Sequence, residues 1–319
     1  MQTYDFWPTP TQSAYIQSEA TISVIYSNMG EGKSLASIAR IFYHAAAMKP
    51  HLRPGQHFGV IIIRDTHQNI LHSVVKSWTQ EWFPAFPMPN RWRNDYKNLF
   101  IDSDPPIDIE LFGIDDTAAL TKLQGAVGVG LIWLEECVPY TDSFRSNAGI
   151  SVDTYNAALV RCARQKGLPP SLQLSFNPPD EEHWTWQRLL VPPDGPVSPE
   201  TPLITKQVFK IQPGENTYLS QEARQATKAA YMHDQAAYAR FVLGETATRY
   251  PGKRVATNFN PDWHVAKRPL DPVEGWPGWI SFDSWGHPAA VMGQQAPNGR
   301  VIVLDAITGG EDVSGLIHD

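Results

Sequence analysis

TISVIYSNMGEGKSL, residues Thr21 to Leu35, joins a β-branched run to a glycine-rich turn that closes on Gly32-Lys33-Ser34. Thr21, Ile22, Val24, Ile25 and Tyr26 read as a buried strand, and Leu35, Ile38, Ile41, Phe42 and Ala45 then recur at helical spacing. Strand, glycine turn and helix in that order make the stretch a phosphate-binding P-loop. Gly30 and Gly32 let the backbone fold around an anion, with amide N–H groups and the positive helix end facing it. The expected ATP-binding cradle is therefore Ser27, Asn28, Met29, Gly30, Glu31, Gly32, Lys33 and Ser34. Lys33 would reach the β/γ-phosphates and the Ser34 hydroxyl would sit on Mg²⁺. Ser27 stands where the motif has its first glycine, a sterically mild exchange.

The chain of 319 residues suits one large core plus a smaller unit. With 42% apolar and 18% charged residues it has ample material to bury, which fits a soluble globular protein. It has no apolar run long enough to span a bilayer, and MQTYDFWPTPTQ is no signal peptide, so no membrane partner is expected. Cys137 and Cys162 make no zinc or disulfide framework and read as buried thiols in a reducing cytoplasm. A net charge of −7 argues against coating the whole surface with nucleic acid, while leaving room for a local basic strip or ring lumen. The tryptophans sit mostly beside apolar neighbours and read as core.

Around the P-loop the pattern alternates. A second strand, Phe58 to Arg64, precedes a helix from Asn69 to Phe83 whose Ile70, Val74, Trp78 and Trp82 share a face. The proline-rich PAFPMPNRW reads as loop. A hairpin (Asn98–Ile101, Ile107–Phe112), a short helix near Thr117–Leu123, a strand from Val127 to Leu134, a helix from Thr154 to Arg164 and a strand from Leu172 to Phe176 follow. This is an α/β fold with a mainly parallel sheet covered by helices on both faces. Beyond the rigid connector Val191–Pro202, Leu203–Ile211 and a helical Gln221–Val242 read as a smaller subdomain. A second proline-rich linker, Pro261–Pro277, leads to strands Trp279–Phe282 and Val301–Leu304.

The strand Leu131-Ile132-Trp133-Leu134 ends on Glu135-Glu136, roughly a hundred residues after the P-loop. Ligands gather at that edge of open α/β sheets. Successive residues at a strand end project differently, so Glu135 is expected to hold Mg²⁺ and Glu136 to activate water. Ser175-Phe176-Asn177-Pro178 closes another strand, and its polar pair can bond a γ-phosphate or its water; local sequence reads equally as an Asn-Pro turn. Arg64, Arg161 and Arg164 are the arginines available to a transition state, each also readable as an ordinary surface or salt-bridging residue. Gln12, in PTPTQ, sits where an adenine-reading glutamine could lie.

The order PTPTQ, SNMGEGKS, VIIIRDT, GLIWLEEC, LSFNPPDEEHWTWQRLL, GENTYL, YARFVLGE and WISFDSWGHPAA resembles the large subunit of tailed-phage terminases over nearly the whole chain. The resemblance implies an ATPase core over 1–200, a lid and linker over 201–262, and the start of an RNase H-like nuclease over 276–319. It implies hydrolysis of ATP with Mg²⁺ to drive double-stranded DNA into a procapsid. The partners it implies are DNA, a portal protein, a small terminase subunit and copies of the chain in a ring, all in the host cytoplasm. On this pattern Gln12 resembles the adenine contact, Glu135 and Glu136 the Walker B pair, Ser175 to Asn177 the coupling motif, and Asp283 the first nuclease carboxylate. Where Met29 stands the family often carries arginine, which leaves Arg64, Arg161 or a neighbouring subunit for that role.

Two-metal cleavage with Mg²⁺ or Mn²⁺ needs several carboxylates. Asp283 supplies one; Asp305 lies on another strand, and the family's further acids fall beyond Asp319. DNA cutting by these residues alone is therefore not expected. Two rival readings remain: another P-loop motor of helicase or secretion type, and a catalytically weak nucleotide-binding assembly protein.

Overall fold

The computed structural model describes residues 7–114, 123, 125–139, 149–162, 164–181, 183–247, 264–283 and 289–308. Its first unit, residues 1–251, is built on nine strands. They are β1 (Ile22–Tyr26), β2 (Phe58–Arg64), β3 (Asn90–Arg93), β4 (Asn98–Ile101), β5 (Ile107–Gly113), β6 (Leu131–Glu135), β7 (Leu172–Phe176), β8 (Gly195–Pro196) and β9 (Thr205–Lys210). In the sheet they run in the order β3-β4-β5-β2-β6-β7-β1-β9-β8. From β5 to β9 the strands are parallel, whereas β3 and β4 at one edge and β8 at the other pair antiparallel with their neighbours.

The central strands are apolar on both faces because both faces are covered. Phe58, Val60 and Ile62 of β2 and Leu131 and Trp133 of β6 pack into one layer with α1 (Pro10–Ile16), α2 (Lys33–Met48) and the helical run that begins with α3 (His67–His72) and continues to residue 85. Ile61, Ile63, Ile132, Leu134, Leu172 and Leu174 point the other way, against α4 (Val152–Arg161). Each such side chain, fully buried, contributes about 1.5–3 kcal/mol. Trp78 and Trp82 lie in the first layer, as their helical spacing predicts, and Cys137 and Cys162 are buried free thiols in the second.

Several expectations need correction. The stretch read as proline-rich loop ends in β3, which pairs along β4; Pro89 lies just before it, the kind of place where an edge strand tolerates proline. Leu203–Ile211 does not begin a separate subdomain: Thr205–Lys210 is β9, hydrogen-bonded in parallel to β1 along its whole length. The helix over Gln221–Val242 is broken into α5 (Gln221–Tyr231), α6 (Gln235–Tyr238) and a π-helical turn, Ala239–Leu243. Asp234 makes the break by capping the amide of Ala237 at 3.0 Å. Except for Leu123, the helix expected near Thr117 lies outside the described residues.

The second unit, residues 252–319, contains an antiparallel sheet of β10 (Gly278–Asp283), β11 (Ala289–Gln295) and β12 (Val301–Thr308), in that order. β10 and β12 are the strands expected there. β11, AAVMGQQ, has too few β-branched or aromatic residues to announce itself.

Trp133 connects the core to the strand ends. Its indole Nε1, fully buried, donates to Ser175 Oγ at 2.9 Å across β6 and β7. Trp133→Phe leaves that hydroxyl without its donor and a void beside it, so a loss of about 2 kcal/mol is expected. The check is urea unfolding, in which the midpoint should fall with an unchanged slope.

Candidate nucleotide site at the P-loop

Parallel strands in the order β6-β7-β1 bring three strand ends to one edge of the sheet. The P-loop leaves β1 there, and Gly30 and Gly32 take φ of +80° and +81°, which residues with a side chain rarely adopt. A Cβ on Gly32 would meet the Gln12 amide nitrogen at 2.6 Å. Lys33 turns its ammonium inward, donating to Asn28 O at 2.9 Å, Ser27 O and Ser27 Oγ at 3.2 Å, and Asn177 Oδ1 at 2.9 Å. Ser27, in the place of a glycine, is thus a ligand of the lysine.

Glu135 and Glu136 part as expected of successive residues. Glu135 accepts from Ser34 Oγ at 3.2 Å, Arg64 Nη1 at 2.7 Å and Ser73 Oγ at 3.2 Å. Glu136 leaves the strand with φ +54°, a left-handed backbone that is costly away from glycine and clusters at functional sites. Its carboxylate accepts from Asn177 Nδ2 at 3.3 Å, so one asparagine bridges Lys33 and Glu136. Ser175 takes no such part: its hydroxyl serves Trp133 and its carbonyl accepts from Glu136 N at 2.7 Å. A cleft of 540 Å³ opens over these groups, lined among others by Gly30, Lys33, Ser34, Arg64, Glu136 and Asn177. Arg161 and Arg164 do not line it.

Burial lowers the Lys33 pKa, and Glu136, Glu135 and Glu31 restore it only in part. Burial raises the Glu136 pKa against the pull of Lys33, with Glu135 adding to the rise. Burial alone would lower the Arg64 pKa, but Glu135, Glu136 and Asp65 outweigh it and hold the guanidinium above its ordinary value. The cleft therefore holds a cation stabilised by its neighbours, Arg64, beside a lysine of lowered and a glutamate of raised proton affinity. Ser34 Oγ and Glu135, hydroxyl and carboxylate oxygens brought together, are the hard donor type that suits Mg²⁺.

Gln12 reaches the loop from α1, which Thr9 caps and Arg40 anchors by donating to the carbonyls of Tyr15, Ile16 and Ser18. The Gln12 amide donates to Glu31 O at 3.0 Å and accepts from Thr9 N at 2.9 Å, bracing the loop. Residues 212–244 supply partners that local sequence did not single out. Glu31, fully buried, accepts from Gly214 N, Asn216 N and Arg224 Nη1, and Asn216 Nδ2 donates to Gly30 O at 2.8 Å. Ser73, four residues beyond Asn69 in the helical run, was equally silent in sequence.

The sequence model of the family described as phage terminase large subunit matches residues 19–245. The chain belongs to the phage terminase large subunit family. The rival helicase and secretion readings fall with that match, and the chain is a subunit of a DNA-packaging motor. Solved structures share the α/β fold. The large terminase of a thermophilic bacteriophage covers 96% of this chain and 68% of its own, at 16% identity and a TM-score of 0.57. The same protein in complex with ADP covers 94% and 68%, at 15% identity and 0.55, and in complex with ATP-γ-S 94% and 67%, at 15% and 0.52. No curated protein matches. Among the described residues of this terminase no helix is long and apolar enough to cross a membrane.

In the second unit of the terminase Asp283 pairs with Ala289, and Asp305 with Met292 on the far side of β11, so the two acids do not stand level. Asp305 is exposed and accepts from the neighbouring Ala306 N. Among the described residues no group of three or more His, Cys, Asp or Glu could hold a metal ion.

The Arg64–Glu135 pair is almost completely buried, with 12% and 3% of the side chains exposed. Arg64→Gln should cost about 3 kcal/mol by stranding the carboxylate, and Arg64→Gln/Glu135→Gln should recover most of it. Urea unfolding of the three proteins checks this; additive losses would show that the pair is not coupled.

Proposed function

We propose that this terminase subunit hydrolyses ATP at the P-loop and that hydrolysis moves double-stranded DNA. The observation that supports the reading best is Asn177, which joins the P-loop lysine to Glu136 in one cleft. Lys33 exchanges its loop carbonyls for β/γ-phosphate oxygens. Ser34 and Glu135 would hold Mg²⁺, which would supply positive charge against the γ-phosphate. Glu136 and Asn177 orient a water whose oxygen attacks the γ-phosphorus. The bond to the β,γ-bridging oxygen breaks, ADP leaves, and Glu136 takes the proton of the water. Because such transfers are mostly positioning and electrostatics, one ammonium, one asparagine and two carboxylates supply most of the groups, and a further cation completes them.

Met29 brings no positive charge, so the cation beside the leaving phosphate is Arg64 or an arginine of a neighbouring subunit. A ring of copies on a portal, fed by a small recognition subunit in the host cytoplasm, fits that need. Gln12 holds the loop in register, and its role as the adenine contact rests on the family resemblance. Residues 212–247 act as the lid, and Asp283 is the first carboxylate of a divalent-metal nuclease site.

The test compares Lys33→Ala and Glu136→Gln with wild type, with and without DNA. Glu136→Gln should bind Mg-ATP normally and turn it over about 10²–10⁴-fold more slowly. Lys33→Ala should lose both turnover and affinity. Wild-type turnover in either variant overturns the assignment.

A further inference from the structure

Glu31 is an anion built into a loop made for anions. It sits between the two left-handed glycines, fully buried, directly before the Gly32-Lys33-Ser34 turn. A bare carboxylate there would repel a polyphosphate and carry a desolvation cost. It is not bare: Arg224 Nη1, from α5, donates to Glu31 Oε1 at 2.7 Å. Gly214 N at 3.0 Å, Asn216 N at 2.9 Å and Asn28 Nδ2 at 3.3 Å complete its shell. Arg224 is itself aimed by a second bond, to Asn216 O. The guanidinium remains 28% exposed while the carboxylate is 0% exposed, so the positive partner is the one nearer solvent.

We infer that Arg224 is the counter-charge of the phosphate loop: by neutralising Glu31 it sets how strongly the loop holds phosphate, and makes α5 part of the binding site. The inference rests on the nucleotide reading above and adds a residue to it. Its signature is a sign pattern that a merely structural latch lacks. Removing the cation leaves the Glu31 charge uncompensated beside the loop, within electrostatic reach of Lys33. Removing the anion leaves Arg224 as surplus positive charge. Removing both restores neutrality.

The experiment is titration of wild type, Arg224→Gln, Glu31→Gln, Glu31→Gln/Arg224→Gln and Arg224→Lys with fluorescent mant-ATP and mant-ADP. Arg224→Gln should weaken mant-ATP about tenfold or more, and mant-ADP less, because repulsion grows with phosphate charge. Glu31→Gln should bind mant-ATP more tightly than wild type. The double variant should return to near wild type, and Arg224→Lys should keep most of the affinity. If Arg224→Gln does not fold, Glu31→Gln and the double variant decide by the same signs. Weakening in all three glutamine variants, or equal weakening of both nucleotides, overturns the inference and leaves a structural latch. Wild type that binds neither nucleotide overturns the nucleotide reading itself.

Discussion

A buried ammonium must be surrounded by acceptors, and the position of Lys33 makes that demand on three strands at once. Ser27 and Asn28 answer from the end of β1, Asn177 from the end of β7, and Glu135 and Glu136 electrostatically from the end of β6. Only parallel neighbours present all these ends at one edge of a sheet. The crossover from β1 to β2 leaves room between them for β7 and β6, and those intervening strands carry the asparagine and the acids. The topology is thus what allows one lysine to meet both a phosphate loop and a carboxylate pair.

The cluster around that lysine is poorly explained by stability. Buried ion pairs are often no better than apolar residues of the same shape, and breaking one side is expensive. Glu136 adds a left-handed backbone that costs about 1–3 kcal/mol. Two acids with separate partners make sense if they have separate work. Glu135 is fixed by Ser34, Arg64 and Ser73, whereas Glu136 accepts from Asn177 and burial raises its proton affinity. A carboxylate held by several donors suits keeping a charge in place, and a buried one of raised proton affinity suits taking up a proton.

The apolar central strands β1, β2, β6 and β7, the P-loop and the acidic strand end were legible because each is written locally: apolar runs, glycines before a lysine, acids after four apolar residues. Asn177 was visible only as one of two readings, since an Asn-Pro turn looks the same until Lys33 and Glu136 are placed beside it. Ser73, Asn216 and Arg224 were not legible by local pattern, because their partners are 62, 186 and 193 residues away. β9 was read as part of a smaller subdomain for a similar reason. Its half-polar sequence TKQVFK does not advertise a place in the main sheet, and its pairing with β1 is set from across the chain. Register and long-range charge pairing are properties of the fold, and no window of sequence contains them.

Met29 shows how such distant pairing shapes the loop itself. Met29 lines the nucleotide cleft. Its sulfur accepts from the Tyr231 hydroxyl at 3.9 Å, and its amide donates to Phe241 O at 3.3 Å. Two residues on, Glu31 makes the ionic contact to the same segment through Arg224. One loop is therefore held to residues 212–244 by neutral hydrogen bonds at Met29 and an ion pair at Glu31 in succession. A displacement of that segment therefore acts on the loop on both sides of Gly30, the left-handed glycine between the two contacts.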